Sequence, residues 1–356
     1  MDQWPSIRLP PPRQTRWWRW GVAVLVLGMA IGLVGAYVEI PYYSLGPGPA
    51  RDVSQLVRVE GERTYASDGV FFLTTVAVSS RPVTLFEALV GWIDPAISLV
   101  KRDVIVRPGL SDEQQDQFNL LDMEESKYAA IISALAAVGL TEQPIPGARV
   151  VAVAAGFPAA QGLRPGDLIT DANGVRVRNV VDLVDQIIAK PAGATLALDV
   201  IRGDVTVDVS IVTRRSPVAA DEGRPVIGAA LAPAFRLPVG VTVDSENIGG
   251  PSAGLAFALT IADALVPEDL TRGHQVAVTG TIDLEGHVGP VGGVEFKVRA
   301  AEREGADIFL VPKDEVKEAK DAASHVRVIG VSTLQEAIAA LRTLGRLAPA
   351  ALAPAA

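Results

Sequence analysis

The pattern of apolar and polar residues changes several times along the chain. Residues 21–38 form one continuous apolar run without a charged side chain. At about 1.5 Å per residue, a helix of this run nearly crosses a hydrocarbon layer of about 30 Å. The run therefore predicts a single transmembrane helix. A cleaved signal peptide is the alternative, but the run exceeds the roughly 7 to 15 apolar residues of a signal core.

The flanks of this run predict its orientation. Four arginines and only one aspartate precede it, whereas the first basic residue after it is Arg51. Tryptophans before the run and tyrosines after it are typical of interfacial aromatic belts. Because basic flanks stay in the cytoplasm, we expect residues 1–20 to be a cytoplasmic N-terminus. The chain would then be a single-pass protein of the cytoplasmic membrane, with its domains outside.

Residues 39–145 combine an extended run at 69–79 with helical apolar spacing at 124–138. This extracytoplasmic segment has no clear core of its own. We therefore expect it to pack against residues 215–344, as one core into which the intervening unit, 146–214, is inserted.

Residues 146–214 have the pattern of a compact β-rich unit. The run from Gly156 to Ile169, followed by the hairpin turn Asn173-Gly174, resembles PDZ domains of bacterial proteases. This resemblance implies a β-sandwich-like fold with helices that binds peptide segments by strand addition. The groove is expected at the loop before the first strand, formed by Gly147, Ala148, Arg149 and Val150.

Residues 215–344 alternate strands with helical stretches, which predicts an α+β core. The overall fold class is therefore α+β, with a transmembrane helix in front. From Gly345 the chain is almost entirely Ala, Pro and Leu, which predicts a disordered tail over 345–356.

Composition narrows the chemistry. The 356 residues carry a net charge of −9 and include no cysteine, which excludes disulfides and thiolate metal sites and argues against nucleic acid as a partner. The three histidines lack the H-E-x-x-H spacing of zinc hydrolases, so no metal is expected. The absence of a G-x-x-x-x-G-K-[ST] phosphate loop predicts no use of ATP, and no cofactor is expected.

Ser252 is the first candidate for chemistry. It lies in Gly-Gly-Pro-Ser-Ala-Gly, directly before a long apolar helical run. Free amides and the positive end of the helix dipole collect at such a position, which suits an oxyanion hole. Gly250, Pro251 and Ala253 would support it. An ordinary N-cap serine is the alternative.

Lys297 is the second candidate. On a predicted helix it shares an apolar stripe with Val294, Val298 and Ala301, as the one charged residue there. Desolvation would lower its pKa from about 10.4 toward about 7.5, where a neutral amine acts as a general base. Snorkelling of the ammonium to water is the alternative.

Together these motifs resemble the proteolytic domain of Lon-type Ser–Lys endopeptidases. The resemblance covers 239–341 and includes Thr279-Gly280, Gly292-Gly293 and Val311-Pro312. With the PDZ unit and the apolar helix, the whole chain is similar to membrane-anchored, PDZ-containing Lon-like proteases of bacteria. The resemblance implies Ser252 as nucleophile, Lys297 as base and later acid, Thr279 as a partner of the lysine, and a homo-oligomer.

Two positions depart from the family. Gly249 and Thr281 stand where that family commonly has acidic residues. Substrate-site polarity or tuning of the lysine is therefore expected to differ.

The resulting hypothesis is an ATP-independent serine endopeptidase that cleaves unfolded or PDZ-selected proteins. Two alternatives stay open. Gly250-x-Ser252-x-Gly254 also fits the nucleophile elbow of α/β-hydrolases, with a histidine such as His325. A non-catalytic PDZ adaptor on a Lon-like fold is the other.

Overall fold

The computed structural model describes residues 17–94, 96–245 and 248–347. The predicted cytoplasmic N-terminus, up to residue 16, and most of the predicted tail, from residue 348, lie outside these ranges. The described chain divides into two compact units. The first contains residues up to Leu45 together with Val78–Arg102, and the second contains Gly46–Ala77 and the residues from Asp103 onward.

Helices and strands are numbered in chain order. The helices of the described residues are α1 (Trp17–Tyr37), α2 (Leu85–Ile93), α3 (Arg102–Ile105), α4 (Asp112–Ala137), α5 (Val180–Ile188), α6 (Gly254–Leu265), α7 (Val294–Arg303), α8 (Val316–Ala322) and α9 (Leu334–Arg342). The strands are β1 (Tyr42–Asp52), β2 (Val57–Glu60), β3 (Val70–Val78), β4 (Ser98–Lys101), β5 (Gln143–Val153), β6 (Leu168–Ala172), β7 (Val175–Arg176), β8 (Thr195–Arg202), β9 (Val205–Val212), β10 (Arg214–Arg215), β11 (Pro225–Val226), β12 (Ala229–Arg236), β13 (Gly240–Val243), β14 (Gln275–Val278), β15 (Thr281–Ile282), β16 (Val288–Gly289), β17 (Ile308–Pro312) and β18 (Arg327–Val331).

The first unit carries the apolar helix. Helix α1 is long and apolar enough to cross a membrane, a test that an N-terminal signal sequence also passes. It begins at Trp17, earlier than the predicted residue 21, because the tryptophan-rich flank is also helical. Helix α2 begins with a capping box, in which Thr84 and Glu87 satisfy each other's backbone amides. The start of β1 pairs antiparallel with β4.

The core of the second unit is built from chain segments that lie far apart in sequence. Strand β3 pairs in parallel with β14, β14 with β17, and β17 with β18. Strand β2 pairs antiparallel with β13. Helices α4 and α6 pack against each other, and their apolar faces join Leu73, Leu310 and Leu341 in one buried cluster. Residues before and after 146–214 thus share one sheet and one core.

A separate sheet in the order β12–β5–β6–β8–β9 forms the PDZ-like unit. It has its own apolar core, with α5 contributing Leu183 and Ile187. The unit extends beyond the predicted end at residue 214, because β12 pairs with β5 along its whole length. Strand β12 is rich in alanine and contains Pro233, a composition with weak strand propensity, which is why the sequence pattern missed it.

This topology also corrects the predicted peptide groove. Gly147, Ala148, Arg149 and Val150 all lie within strand β5, which is bonded to β12 on one side and β6 on the other. Ala148 and Val150 are fully buried. A strand with both edges paired cannot take up a further strand, so these residues do not line the groove.

The predicted disordered tail begins too early. The backbone N–H of Leu347 donates to the carbonyl of Arg272 at 2.9 Å, and the Arg346 guanidinium pairs with Asp68 at 2.8 Å. These contacts fix the first residues after Leu344 against the core.

Candidate active site

Ser252 and Lys297 line one cavity of about 710 Å³ in the second unit. Strand β3 supplies one wall with Leu73 and Thr74, and the loop before α7 supplies another. A volume of this size lies within the range of ordinary ligand and substrate sites. The two residues that the sequence singled out are therefore brought to the same place.

The local backbone sets the position of Ser252. It sits in a 3-10 turn, Pro251–Ala253, that leads directly into α6. Gly250 precedes this turn with φ of +88° and ψ of 154°, a conformation that is essentially restricted to glycine. The glycine thus lets the chain turn sharply into the helix, which presents Ser252 at its N-terminal end.

Lys297 is buried on α7, with only 3% of its surface exposed. Its Nζ donates to Oγ1 of Thr279 at 3.1 Å, and Thr279 Oγ1 lies 3.4 Å from the carbonyl oxygen of Ser252. Thr279 is itself fully buried, at the end of β14. Burial lowers the pKa of Lys297 from 10.5 to about 8, although the charge of Glu315 acts in the opposite direction. The neutral fraction of Lys297 at physiological pH is therefore larger than that of an ordinary exposed lysine.

Glu315 is a residue that the sequence patterns did not point out. Its Oε1 accepts the backbone N–H of Val291 at 2.8 Å, and Val291 lines the cavity. Its Oε2 is buried and has no hydrogen-bond partner. Burial raises the pKa of Glu315, while the bond to Val291 and the charge of Lys297 oppose this shift. Glu315 therefore both holds one wall of the cavity and influences the charge of the lysine.

Helix α4 holds the segment around Ser252 from the other side. The carbonyl of Asn119 accepts the N–H of Gly250 at 2.7 Å, and Ser126 Oγ donates to the carbonyl of Pro251 at 2.9 Å. A Cβ on Gly254 would lie only 2.6 Å from Ser126 Oγ. The small residues around Ser252 thus let α4 approach closely. The polar first half of α4 carries no apolar periodicity, which is why the sequence predicted only its second half.

The same packing accounts for one of the two departures from the family pattern. A Cβ on Gly249 would lie 3.0 Å from Cβ of Asn119, so an acidic side chain there would require α4 to shift. Thr281, the second departure, lines the cavity. Its side chain is a neutral hydroxyl, whereas the Lon-type family commonly has a carboxylate at this position.

The predicted oxyanion support needs correction at two residues. The N–H of Gly250 is already bonded to Asn119, and Pro251 has no N–H to donate. The first amides of a 3-10 turn have no acceptor within the turn. Ser252 and Ala253 are therefore the residues of this turn whose amides suit an oxyanion.

Thr74 also lines the cavity and was not anticipated. It is buried, and its Oγ1 has no hydrogen-bond partner among the described residues. Strand β3 continues past the end of β14, whose last paired residue, Val278, lies opposite Leu73. Thr74 thus lies just beyond the part of β3 that pairs with β14, and it faces the cavity.

The histidine of the α/β-hydrolase alternative lies elsewhere. The side chain of His325 is 64% exposed, and its Nδ1 is 3.6 Å from Glu302 Oε1. No histidine lines the cavity within the described ranges. The structure therefore contradicts a triad between Ser252 and His325.

One group of potential metal ligands occurs among the described residues. Ligand atoms of Asp283, Glu285 and His287 lie within 4.8 Å of one another, and all three residues are exposed. His287 Nδ1 already lies 2.8 Å from Asp283 Oδ2. This arrangement is that of an ordinary surface hydrogen bond between a histidine and an aspartate.

A second cavity, of about 280 Å³, lies beside the PDZ-like sheet. Its walls are strands β11 and β12, helix α5 and the first half of helix α4. Strand β12 is the outer strand of its sheet among the described residues, and its Ala229 and Leu231 line this cavity. We call this cavity the peptide groove. It is the candidate for the groove that the sequence placed at residues 147–150.

Two protein families match the chain in separate segments. The C-terminal proteolytic domain of Lon protease matches residues 235–342, and the PDZ domain matches residues 118–213. The predicted α+β fold, with a Lon-type proteolytic domain and a PDZ domain, is confirmed by these matches.

Individual relatives agree with the family matches. Lon protease 2 of Bacillus subtilis is 37% identical over 106 residues, which is 29% of this chain and 18% of that protein. Lon protease of Desulforamulus reducens is 38% identical over 78 residues, 22% of this chain and 9% of that protein. The chain thus spans less than a fifth of the length of either relative.

Among solved structures, the PDZ domain of an SdrC-like protein from Listeria monocytogenes is 30% identical. The match covers 24% of this chain and 87% of that domain, with a TM-score of 0.22.

Proposed function

We propose that the chain is an ATP-independent serine endopeptidase with a Ser252–Lys297 dyad. The observation that carries this proposal is the burial of Lys297 in the cavity that Ser252 also lines. Burial lowers the pKa of this lysine to about 8. Burying an amine is unfavourable. A neutral amine beside a serine hydroxyl is what nucleophilic catalysis requires.

The reaction follows from these positions. Neutral Lys297 accepts the proton of Ser252 Oγ as this oxygen bonds to the scissile carbonyl carbon. Backbone amides of Ser252 and Ala253 stabilise the oxyanion. The C–N bond then breaks as the lysine ammonium returns its proton to the leaving amine, leaving an acyl-serine. The same lysine then accepts a proton from water as the water oxygen bonds to the ester carbon, and the acyl C–O bond breaks as the lysine ammonium returns that proton to Ser252 Oγ.

Thr279 is a positioning residue in this scheme. Its hydroxyl accepts a hydrogen bond from Lys297 Nζ and lies near the Ser252 carbonyl. It therefore fixes the direction of the amine with respect to the backbone that carries the nucleophile.

Helix α1 anchors the chain in the cytoplasmic membrane, with its arginine-rich flank inside and both domains outside. Peptide or protein substrates, unfolded or with accessible C-termini, bind the PDZ domain in the peptide groove. Assembly into a homo-oligomer is proposed from the family resemblance.

The test uses the full chain in detergent micelles, with unfolded protein as substrate, without ATP and with a chelator. Wild type should release peptides, whereas Ser252→Ala and Lys297→Ala should not, and His325→Ala should match wild type. Equal hydrolysis by wild type and Ser252→Ala would discard the proposal. Binding of unfolded protein without cleavage by wild type would support the adaptor alternative.

A further inference from the structure

Helix α4 belongs to two sites at once. Its Phe118 and Leu121 line the peptide groove, whereas Met123 lines the catalytic cavity. All three lie within about two turns of one helix, at about 1.5 Å per residue. Neighbouring residues in the first half of one helix thus line both cavities.

The contacts of α4 with the PDZ domain are specific. The rings of Phe118 and Phe157 meet edge to face with centroids 5.8 Å apart. Leu121 packs in an apolar cluster with Ala152 and Ala230. In addition, the side-chain oxygen of Gln117 accepts the N–H of Ala155 at 3.1 Å. These contacts fix the first half of α4 to the strands and loop that border the peptide groove.

The contacts of α4 with the catalytic segment follow within the next residues. The Asn119 carbonyl accepts a hydrogen bond from the N–H of Gly250 at 2.7 Å. Ser126 Oγ donates a hydrogen bond to the carbonyl of Pro251 at 2.9 Å. Asn119 lies between Phe118 and Leu121 in the chain. A displacement of the groove wall therefore moves the acceptor that positions the residues before Ser252.

The groove has the features of a site for an extended peptide with an apolar C-terminus. Strand β12 offers an unpaired edge, while Val184 and Ile188 of α5 expose 40% and 46% of their surfaces beside it. Arg224 lines the groove, and the Arg214 guanidinium lies 4.5 Å from the centroid of the Phe157 ring. Arg224 forms an ion pair at 2.9 Å with Asp221, which lines the same groove, so this end of the groove offers both a donor and an acceptor to a peptide backbone.

We propose that the peptide groove is shared by the PDZ domain and α4, so that a bound peptide packs on Phe118 and Leu121 and thereby orders the catalytic segment. The peptide raises the hydrolysis rate through the Asn119–Gly250 bond. This proposal rests on the proposed function for the groove and the dyad. Couplings between sites are commonly five-fold or more, so an effect of about five-fold is expected.

The experiment measures binding and coupling separately. The full-length Ser252→Ala chain, which cannot cleave, is titrated with a fluorescein-labelled peptide that ends in Val-Val-Phe with a free carboxylate. Fluorescence anisotropy reports binding, and amide hydrogen exchange at Gly250 reports the contact with α4. We expect binding to slow exchange at Gly250 by about five-fold. The same peptide should raise wild-type hydrolysis of a C-terminally amidated reporter by a similar factor.

Three substitutions locate the effect. Leu121→Ala should bind the peptide but lose the response at Gly250. Leu120→Ala, on the exposed side of the same helix, should keep both. Val184→Asp places a charge on the exposed face of α5 and should abolish binding and response together.

The outcomes separate the two proposals. Binding with unchanged exchange at Gly250, no binding at all, or an equal response in Leu121→Ala and Leu120→Ala would overturn the coupling. Slowed exchange in Ser252→Ala together with an inactive wild type would sustain the coupling and overturn the peptidase.

Discussion

Lys297 Nζ and Thr279 Oγ1 lie 3.1 Å apart, and both residues are buried between helix α7 and the end of strand β14. Through this bond the amine is directed toward the segment that carries Ser252. Thr279→Val keeps the volume of the side chain but removes the hydroxyl. We expect it to lower kcat/KM by about 10²-fold, as misplaced catalytic groups commonly do.

Thr279→Ser is the matched control because it retains an oxygen at the same position. It should keep activity within a few-fold of wild type, measured on the same reporter peptide. Equal losses for the valine and serine variants would show that the methyl group, rather than the hydrogen bond, matters.

The pH dependence of hydrolysis should report the lysine. Burial lowers the pKa of Lys297 to about 8, and only the neutral amine accepts the serine proton. The value of kcat/KM should therefore rise about tenfold per pH unit below this pKa and level off above it. A midpoint near the ordinary lysine pKa of about 10.4 would contradict this assignment.

Glu315→Gln should shift that profile. The carboxylate raises the pKa of Lys297 through its charge, so its neutralisation should move the midpoint to lower pH. The glutamine oxygen can still accept the Val291 N–H, so the wall of the cavity is retained. Steady-state rates across pH measure the shift. Glu318→Gln, a neighbouring exposed residue, serves as the control and should leave the midpoint in place.

Replacing Lys297 with an apolar residue should abolish activity and raise the free energy of unfolding. Because the native pKa is about 8 and the ordinary value is 10.5, the unfolded chain binds the proton more tightly. The protonated, buried lysine therefore costs up to about 3 kcal/mol below pH 8, and this cost disappears as pH rises toward 10.5. Lys297→Met should unfold at a higher urea concentration at neutral pH and be inactive.

The control for this stability prediction is Lys317→Met. Its side chain is 90% exposed, so its replacement should change stability little. Equal unfolding midpoints for Lys297→Met and wild type at neutral pH would contradict a buried, destabilising charge.

Much of the site follows from local sequence, because its signals are local. Gly250 and Pro251 before an apolar helix place Ser252 at a helix start, and the apolar stripe around Lys297 predicts its burial. The supports of the site are different. Asn119 acts through its backbone carbonyl, and Glu315 acts through a fold contact with Val291. Neither interaction can be predicted from the residue types and their spacing along the chain.

The strands that border the peptide groove were also only partly predictable from the sequence. The hairpin and helix of the PDZ domain are local features and match the sequence pattern. Its outer strand, β12, is separated from the rest by a long connection and carries alanines and Pro233 in place of β-branched residues. The sequence pattern predicted the groove at a loop before the first strand, residues 147–150, whereas these residues belong to strand β5 and pair with β12.

The register of β5 and β12 has a consequence for how the chain is made. Gln143 and Arg236 are partners in this ladder, so the polypeptide enters and leaves the PDZ domain at neighbouring points. During synthesis all strands of the PDZ sheet are available once Arg236 has emerged, so this sheet can form while the rest of the chain is still unfinished. Strand β3 and helix α4 must meanwhile wait for β14, β17 and α9 to cover their apolar faces. The cavity that contains Ser252 and Lys297 can therefore form only after β14, β17 and α9 have been synthesised.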